Sequence, residues 1–330
     1  MKKKAVQYLL FLTILLLIAN FIIDFTGKKK EYHFENDLSS LEIENKFLET
    51  LDECGIEMKW IKVKPNKDSG KDSVDNIINV KIPEDLPLPV LVKYMQGKVD
   101  YPFALVKAEE KKKNREITLK VFSNGIQKLE ANIARDGGLK RAGSRFAFII
   151  NGFESLSKAK QTELLKTPFP FAVELVPSQK ETALIDSLKK FKKEHVVLLN
   201  DDISGDKFLL KDSFSKEKLR AAVKNILTAY KYYPLYLIDE SSDLYSQSKW
   251  SFIESEFRAN KIRLDKRSDY MVIGGDKEEE LLASLDSFIE ASGTAGKTGI
   301  IDAEDYTALL LKIDKLFRKG NKILYPTENL

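Results

Sequence analysis

The stretch of sequence that decides the fold runs from residue 146 to residue 202 and reads FAFIINGFESLSKAKQTELLKTPFPFAVELVPSQKETALIDSLKKFKKEHVVLLNDD. Three short apolar runs lie within it, at 146–150, 171–176 and 195–199, and they are rich in β-branched and aromatic residues. A helix-like segment follows each of the first two runs. This alternation predicts buried parallel strands that are connected by crossover helices.

In α/β folds the chemistry is concentrated at the carboxyl ends of the strands. The residues that follow the three predicted strands are therefore the first candidates for a site. They are Asn151 and Gly152, then Pro177 and Ser178, and finally Asn200, Asp201 and Asp202.

The composition limits the classes of function. The chain has 330 residues and a formal net charge of +4, although 32% of its residues are charged. This balance is typical of a solvated surface and does not predict nucleic-acid binding. The sequence contains no glycine-rich phosphate-binding motif, so it does not predict nucleotide binding either. Cys54 is the single cysteine, which excludes an intrachain disulfide and metal sites built on several cysteines.

The N-terminus has the pattern of a membrane anchor. Lysines at positions 2–4 precede an apolar run at 5–25, in which Asp24 is the only charge. About 20 apolar residues cross the hydrocarbon core of a bilayer. A cleaved signal peptide is the competing interpretation, but the run is longer than usual and no small-residue cleavage site follows it. We expect an uncleaved transmembrane helix at 1–30 in the inner membrane, with the N-terminus in the cytoplasm and the bulk periplasmic or extracytoplasmic.

Turn-forming residues divide the remaining chain into two domains. Residues 31–136 alternate helical and strand patterns, which predicts a small α+β domain. Residues 137–144 (GGLKRAGS) have the polar, glycine-bearing composition of a linker. Residues 145–330 contain about seven strand–helix units, with continuous helices expected at 245–260 and 303–319, and this pattern predicts an α/β fold of the distorted (β/α) barrel type.

Six segments of the second domain resemble, in order, the divergent polysaccharide deacetylases, which are relatives of the carbohydrate esterases that remove N-acetyl groups. The segments are the strand at 146–150 with Asn151-Gly152, TPFPFAVELVP at 167–177, HVVLLN at 195–200, LYLIDESS at 235–242, Arg267-Ser268-Asp269, and TGII at 298–301 with the helix that follows. The resemblance implies a deacetylase-like barrel for this domain.

The same resemblance argues against the family's usual reaction. In metal-dependent members a first aspartate acts as general base, and a second aspartate binds the metal together with two histidines. The matching positions here hold Asn151, Gly152 and Asn200, and the late histidine position falls at or beside Asp302. An amide does not accept a proton at neutral pH and glycine offers no ligand. We therefore expect no metal cofactor at these positions.

Five carboxylates remain as candidates for a cleft at one end of the barrel: Asp201, Asp202, Asp239, Glu240 and Asp302. An all-oxygen cluster would suit Ca²⁺ or Mg²⁺, and a carboxylate pair would suit glycoside hydrolysis. The alternative is that aspartates after strands cap helices or lie in solvated loops. His195 begins its strand and His33 lies beside the anchor, so we expect neither to be catalytic.

Two hypotheses for the function remain. The first is a membrane-anchored cell-envelope protein whose deacetylase-like barrel has lost catalysis and binds a glycan or a partner protein. The alternative is an active carbohydrate- or peptidoglycan-processing hydrolase that uses a rearranged set of carboxylates. The residues at positions 151, 152 and 200 favour the first hypothesis.

Overall fold

The computed structural model of the protein describes residues 38–66, 74–100, 103–111, 116–141, 143–230 and 235–329. The predicted anchor at 1–30 and His33 lie outside these ranges. Across the residues that are described, no helix combines the length and the apolar character needed to cross a bilayer.

Residues 38–135 form two layers, a five-stranded sheet and a pair of helices. The sheet order is β1-β2-β5-β4-β3, with strands β1 (Ile61–Pro65), β2 (Asn76–Ile82), β3 (Ala104–Lys111), β4 (Glu116–Ser123) and β5 (Ile126–Arg135). Helices α1 (Ser40–Glu53) and α2 (Leu88–Lys98) pack on one face. Ser39 and Glu42 form a capping box that fixes the beginning of α1. Alternate residues such as Ile78 and Val80 are buried, which places the core between the helices and the sheet.

Residues 145–329 form an α/β unit built on a parallel sheet. Its strands are β6 (Arg145–Asn151), β7 (Ala172–Leu175), β8 (Glu194–Leu199), β9 (Tyr236–Ile238), β10 (Leu264–Lys266), β11 (Met271–Ile273), β12 (Lys297–Asp302) and β13 (Lys322–Leu324). Seven of them form one ladder in the order β10-β9-β8-β7-β6-β12-β11, while β13 pairs with the first half of β6. The sheet curls into a half-barrel. The prediction of an α/β fold with about seven parallel strands is confirmed.

Helices fill the connections between these strands. They are α3 (Lys158–Lys166), α4 (Thr182–Lys190), α5 (Lys216–Ala229), α6 (Asp243–Ser246), α7 (Trp250–Ala259), α8 (Glu278–Ser292), α9 (Ala303–Ala308) and α10 (Leu310–Arg318). Residues such as Phe146 and Phe148 face the helices and contact Phe288 of α8, with ring centroids 6.0 and 5.9 Å apart. The alternate residues form a second cluster on the inner face: Ile149, Ala172, Val196, Leu198, Leu235, Leu237 and Ile300. Burial on both faces explains why the strands read as continuous apolar runs.

Two long helices expected from the sequence pattern, at 245–260 and 303–319, are each broken. The first divides into α6 and α7 because Asp212 accepts hydrogen bonds from Ser248 Oγ (2.8 Å) and from the backbone N–H of Lys249 (3.1 Å). Side chains of this kind compete with the helical hydrogen bonds of the backbone. The second divides into α9 and α10 at Leu309.

The two ends of the parallel sheet are joined by the chain itself. The end strands of the ladder are β10 and β11, and only residues 267–270 separate them. We call these four residues the seam. No ladder between β10 and β11 is present among the described strands. The barrel expected from the sequence is therefore a half-barrel. The seam links its two edge strands, each of which is three residues long.

The predicted linker at 137–144 is held by contacts with both units. Arg141 donates from Nη1 to the carbonyls of Cys54 (3.1 Å) and Arg318 (2.7 Å), and from Nε to Asp85 Oδ2 (3.0 Å). A Cβ atom at Gly143 would lie 2.3 Å from the carbonyl oxygen of Gly320, so only glycine permits this close approach of two backbones. The sequence has the composition of a flexible linker, but these contacts fix the described part of the segment.

Candidate functional site

The carboxyl ends of β6 and β12 bring Asn151 and Asp302 side by side, because these residues are register partners in the parallel ladder. Gly152 follows with a φ of +66°, and a Cβ atom at that position would lie 3.2 Å from Asp302 Oδ2. An aspartate at position 152 would thus meet both a strained backbone and an existing carboxylate.

Asp201 caps a helix. Its two carboxylate oxygens accept hydrogen bonds from the backbone N–H groups of Asp243 and Leu244, each at 2.8 Å, at the beginning of α6. Asn200 and Asp202 bond to each other, since Asn200 Nδ2 donates to Asp202 Oδ2 (3.0 Å) and the backbone N–H of Asp202 donates to Asn200 Oδ1 (3.1 Å). These are capping and turn interactions, which stabilise loops after strands.

The remaining three carboxylates of the predicted cleft also have local partners. Asp239 Oδ1 accepts from the backbone N–H and the hydroxyl of Ser241, at 3.0 and 2.7 Å. Glu240 accepts from the backbone N–H and hydroxyl of Ser268 in the seam, and these hydrogen bonds lower its pKa. Asp302 Oδ1 accepts from the backbone N–H of Glu304 (3.0 Å) and caps α9.

The five carboxylates thus follow strands β8, β9 and β12, where the sequence places them, but they do not form a metal centre. Within the described ranges, no group of three or more His, Cys, Asp or Glu side chains has an arrangement that could hold a metal ion. A cavity of about 340 Å³ lies beside Asn200 and Asp201, with Leu210, Asp212 and Gln247 among its lining. The carboxylate of Asp201 is directed to the N–H groups of α6.

The structure adds an ion pair that the sequence interpretation does not predict. Glu174 lies on β7, and its carboxylate accepts from Arg267 Nε (3.1 Å) and Nη2 (3.3 Å) in the seam. The side chain of Glu174 is 2% exposed and that of Arg267 is 27% exposed. Burial raises the pKa of Glu174, and the charges of Asp239 and Glu154 raise it further, while Arg267 opposes both effects.

This pair spans the inside of the half-barrel. Strand alternation places Glu174 on the same face as Ala172 of the inner cluster, and Tyr270 of the seam packs on that cluster. The signal in the sequence is the single charged residue within the apolar run FAVELV. A buried charge in such a strand requires a partner, but the sequence does not indicate that the partner lies 93 positions later, at Arg267.

The two other reactive side chains noted in the sequence are buried structural residues. His195 Nε2 lies 3.4 Å from the carbonyl oxygen of Tyr230, and burial lowers its pKa. Its position at the amino end of β8 keeps it away from the carboxyl edge of the sheet. Cys54 is buried, and burial raises the pKa of its thiol to about 11, so it is a poor nucleophile at neutral pH.

Comparisons with known proteins found neither a matching family model nor a matching curated protein. Similar solved structures include an uncharacterized protein from Agrobacterium tumefaciens, with 14% identity, a TM-score of 0.39 and coverage of 57% of this chain and 90% of that chain. They also include a CE4 family pseudoenzyme from Bacillus anthracis in wild-type and mutant forms. Each form has 11% identity and a TM-score of 0.34, and the coverage is 72% of this chain and 94% or 96% of the other.

At identities and TM-scores this low, the similarity carries no argument of its own about the chemistry of the chain.

Proposed function

We propose that residues 145–330 are a non-catalytic, divergent deacetylase-like domain that binds a glycan or a partner protein in the cell envelope. The observation that carries this proposal is the set of side chains at the strand ends. Asn151, Gly152 and Asn200 occupy the positions where the resemblance implies a base and metal ligands, and the nearby carboxylates have capping or turn partners.

The positions that the resemblance assigns to the general base and the metal ligands hold residues that cannot carry out those roles. Asn151 offers an amide where a carboxylate would accept a proton from water. Asn200 Nδ2 and Oδ1 are engaged with Asp202. The Glu174 side chain is 2% exposed and both of its carboxylate oxygens accept hydrogen bonds from Arg267, so it is not placed to activate a water at the strand ends.

The alternative, an active hydrolase with rearranged carboxylates, requires one protonated and one ionised carboxyl around a reacting bond. Both carboxylate oxygens of Asp201 accept hydrogen bonds from backbone N–H groups at the beginning of α6, so this side chain serves as a helix cap. Asp239 and Asp302 have similar capping partners. This arrangement favours the non-catalytic function.

Acetate release and bound metal test the proposal together. Full-length protein should release no acetate from chitooligosaccharides or peptidoglycan fragments and should contain no stoichiometric metal by elemental analysis. Asn151→Asp should leave both results unchanged, because the restored base still lacks ligands at 152 and 200. Stoichiometric metal with acetate release from the wild type would overturn the proposal.

We also propose that residues 5–25 anchor the protein in the inner membrane, with the N-terminus in the cytoplasm. The support is the length of the apolar run and the lysines before it. After cell fractionation the protein should remain in the membrane pellet at high salt, and added protease should digest the bulk of it in spheroplasts. Mature protein that begins after about residue 25 and is free in the soluble fraction would contradict this topology.

A further inference from the structure

A groove of about 470 Å³ lies between α3 and α4, beside the carboxyl end of β7. Leu165, Leu184 and Phe191 supply apolar walls, while Glu154, Ser178 and Glu181 supply a polar part. An apolar cleft with a few convergent polar groups is the usual form of a small-molecule site. The helices that build it are on the outside of the sheet, so the groove is separate from the strand-end carboxylates described above.

Glu181 has an oxygen without a partner. Its Oε2 atom is buried and makes no hydrogen bond, although the backbone N–H of Val176 interacts with the carboxyl group. Buried polar atoms are nearly always bonded, and an orphaned carboxyl oxygen costs free energy unless a ligand satisfies it. The geometry therefore leaves one unsatisfied carboxyl oxygen at the polar part of the groove.

The titratable groups around Glu181 lie on four neighbouring segments of the chain. Glu154, after β6, is close enough to raise the pKa of Glu181, and burial raises it more, to about 8. Tyr230, at the end of α5, donates its hydroxyl to the carbonyl of Ser178. Lys158 and Lys180 also line the groove, and Lys158 donates to Gln161 Oε1 (3.1 Å). Among the described residues, neither lysine forms an ion pair with Glu154 or Glu181.

We propose that the groove between α3 and α4 binds a small organic cation, with its primary ammonium group at Glu181 and Glu154 and its apolar body against Leu165, Leu184 and Phe191. An ammonium group has three donors and so satisfies Oε2 of Glu181 while it compensates the like charges of the two glutamates. The proposal is independent of whether the strand-end carboxylates are catalytic.

Phenethylammonium and 2-phenylethanol are matched probes, since they share an apolar body and differ in the ammonium group. Titration of full-length protein at pH 7 by calorimetry should show binding of the ammonium compound and at least about tenfold weaker binding of the alcohol. Because Glu181 is protonated in the free protein and ionised in the complex, binding should release about one proton. Titrations in phosphate and in HEPES, neither of which supplies a primary ammonium group, measure this proton through the different ionisation enthalpies of the buffers.

Three variants complete the test. Glu181→Gln should weaken binding at least about tenfold and abolish proton release. Ser187→Trp should block the groove sterically without a change in charge. Glu163→Gln, on the exposed face of α3, should bind as the wild type does. Absence of binding by the wild type, equal binding of the alcohol, or equal binding by Glu181→Gln would each overturn the proposal.

Discussion

At the scale of single residues, the Glu174–Arg267 pair places a carboxylate in the interior of the parallel unit. A carboxylate that is 2% exposed is tolerated only because the guanidinium group supplies two hydrogen bonds. Removal of one partner from a buried pair costs more than the pair itself contributes, since the other charge remains buried.

Arg267→Ala should therefore destabilise the protein by about 3–5 kcal/mol. The matched control is Arg258→Ala, which removes an arginine that is 77% exposed and pairs with Glu254 on one helix, and it should cost less than about 1 kcal/mol. Urea denaturation of both variants measures the difference. Equal midpoints for the two variants would show that Glu174 does not depend on Arg267.

The raised pKa of Glu181 predicts how the free energy of unfolding depends on pH. Its pKa rises from 4.5 to about 8 in the folded protein, so the folded state holds a proton that the unfolded state has released between these two values. The free energy of unfolding should therefore fall as the pH rises from about 5 to about 8. Glu181→Gln removes this titration. The stability of the variant relative to the wild type should therefore increase as the pH rises from about 5 to about 8.

Denaturant titrations of wild type and Glu181→Gln at pH 5 and pH 9 test this sign, with Glu163→Gln as an exposed control that should follow the wild type. A stability difference that does not change between the two pH values would contradict it.

At the scale of elements, β12 packs so closely on α8 that one position requires glycine. A Cβ atom at Gly299 would lie 2.8 Å from Ile273 Cδ1 and 2.9 Å from a ring carbon of Phe288. The close contact lets the core side chains of β11 and α8 meet over the strand.

Gly299→Ala should destabilise the fold by about 1–3 kcal/mol, because overpacking exceeds the entropic gain of a smaller unfolded ensemble. Gly97→Ala is the matched control with the opposite sign. Gly97 lies on the exposed face of α2, with nothing within 4 Å of an added Cβ atom. Its replacement by alanine should therefore stabilise the fold by about 0.5–1 kcal/mol. Thermal unfolding followed by circular dichroism separates the two, and a stabilised Gly299→Ala would show that the neighbours move at little cost.

At the scale of the whole molecule, Arg141 joins the two units. Its guanidinium group bonds to a carbonyl at the end of α1 and to another at the end of α10, and Arg318 of α10 lies 4.2 Å from the ring of Tyr94 on α2. The joint between the units therefore combines polar contacts of long side chains with close backbone approaches at Gly55 and Gly143.

Arg141→Ala should lower the free energy of unfolding by about 1.5–3 kcal/mol through the lost charged hydrogen bonds. It should also increase cleavage by thermolysin next to Leu139. Arg141→Lys should restore only part of the protection, because an ammonium group lacks the planar fork. Arg135→Ala, at the exposed end of β5, is the control, and cleavage of Arg141→Ala at the control's rate would contradict this role.

The sequence predicts the parallel unit well because its central strands β6, β7 and β8 are mostly apolar, and burial on both faces is what produces such runs. It predicts the broken helices poorly, because Asp212, which interrupts the segment at 247–249, lies more than thirty positions away. The strand-end residues were identifiable from their positions after strands, but their hydrogen-bond partners were not. Glu174 and Arg267 were not predicted as a pair, since only the curl of the sheet brings β7 and the seam together.

Proteolytic cleavage within the seam would affect both edges of the parallel sheet. Residues 267–270 span at most about 15 Å, so β10 and β11 are tethered as neighbours although they are opposite edges of the ladder. One peptide bond cleaved there would release both edges at once, and a cut in any other loop would leave them linked. Because no ladder joins the described strands β10 and β11 in the intact chain, the cut would let these already unpaired edges move apart, and their backbone groups beside Val272, which is 63% exposed, would become accessible. Unpaired sheet edges are templates for pairing with another chain, so we expect cleavage in the seam to promote aggregation more than cleavage in any other loop of the parallel unit.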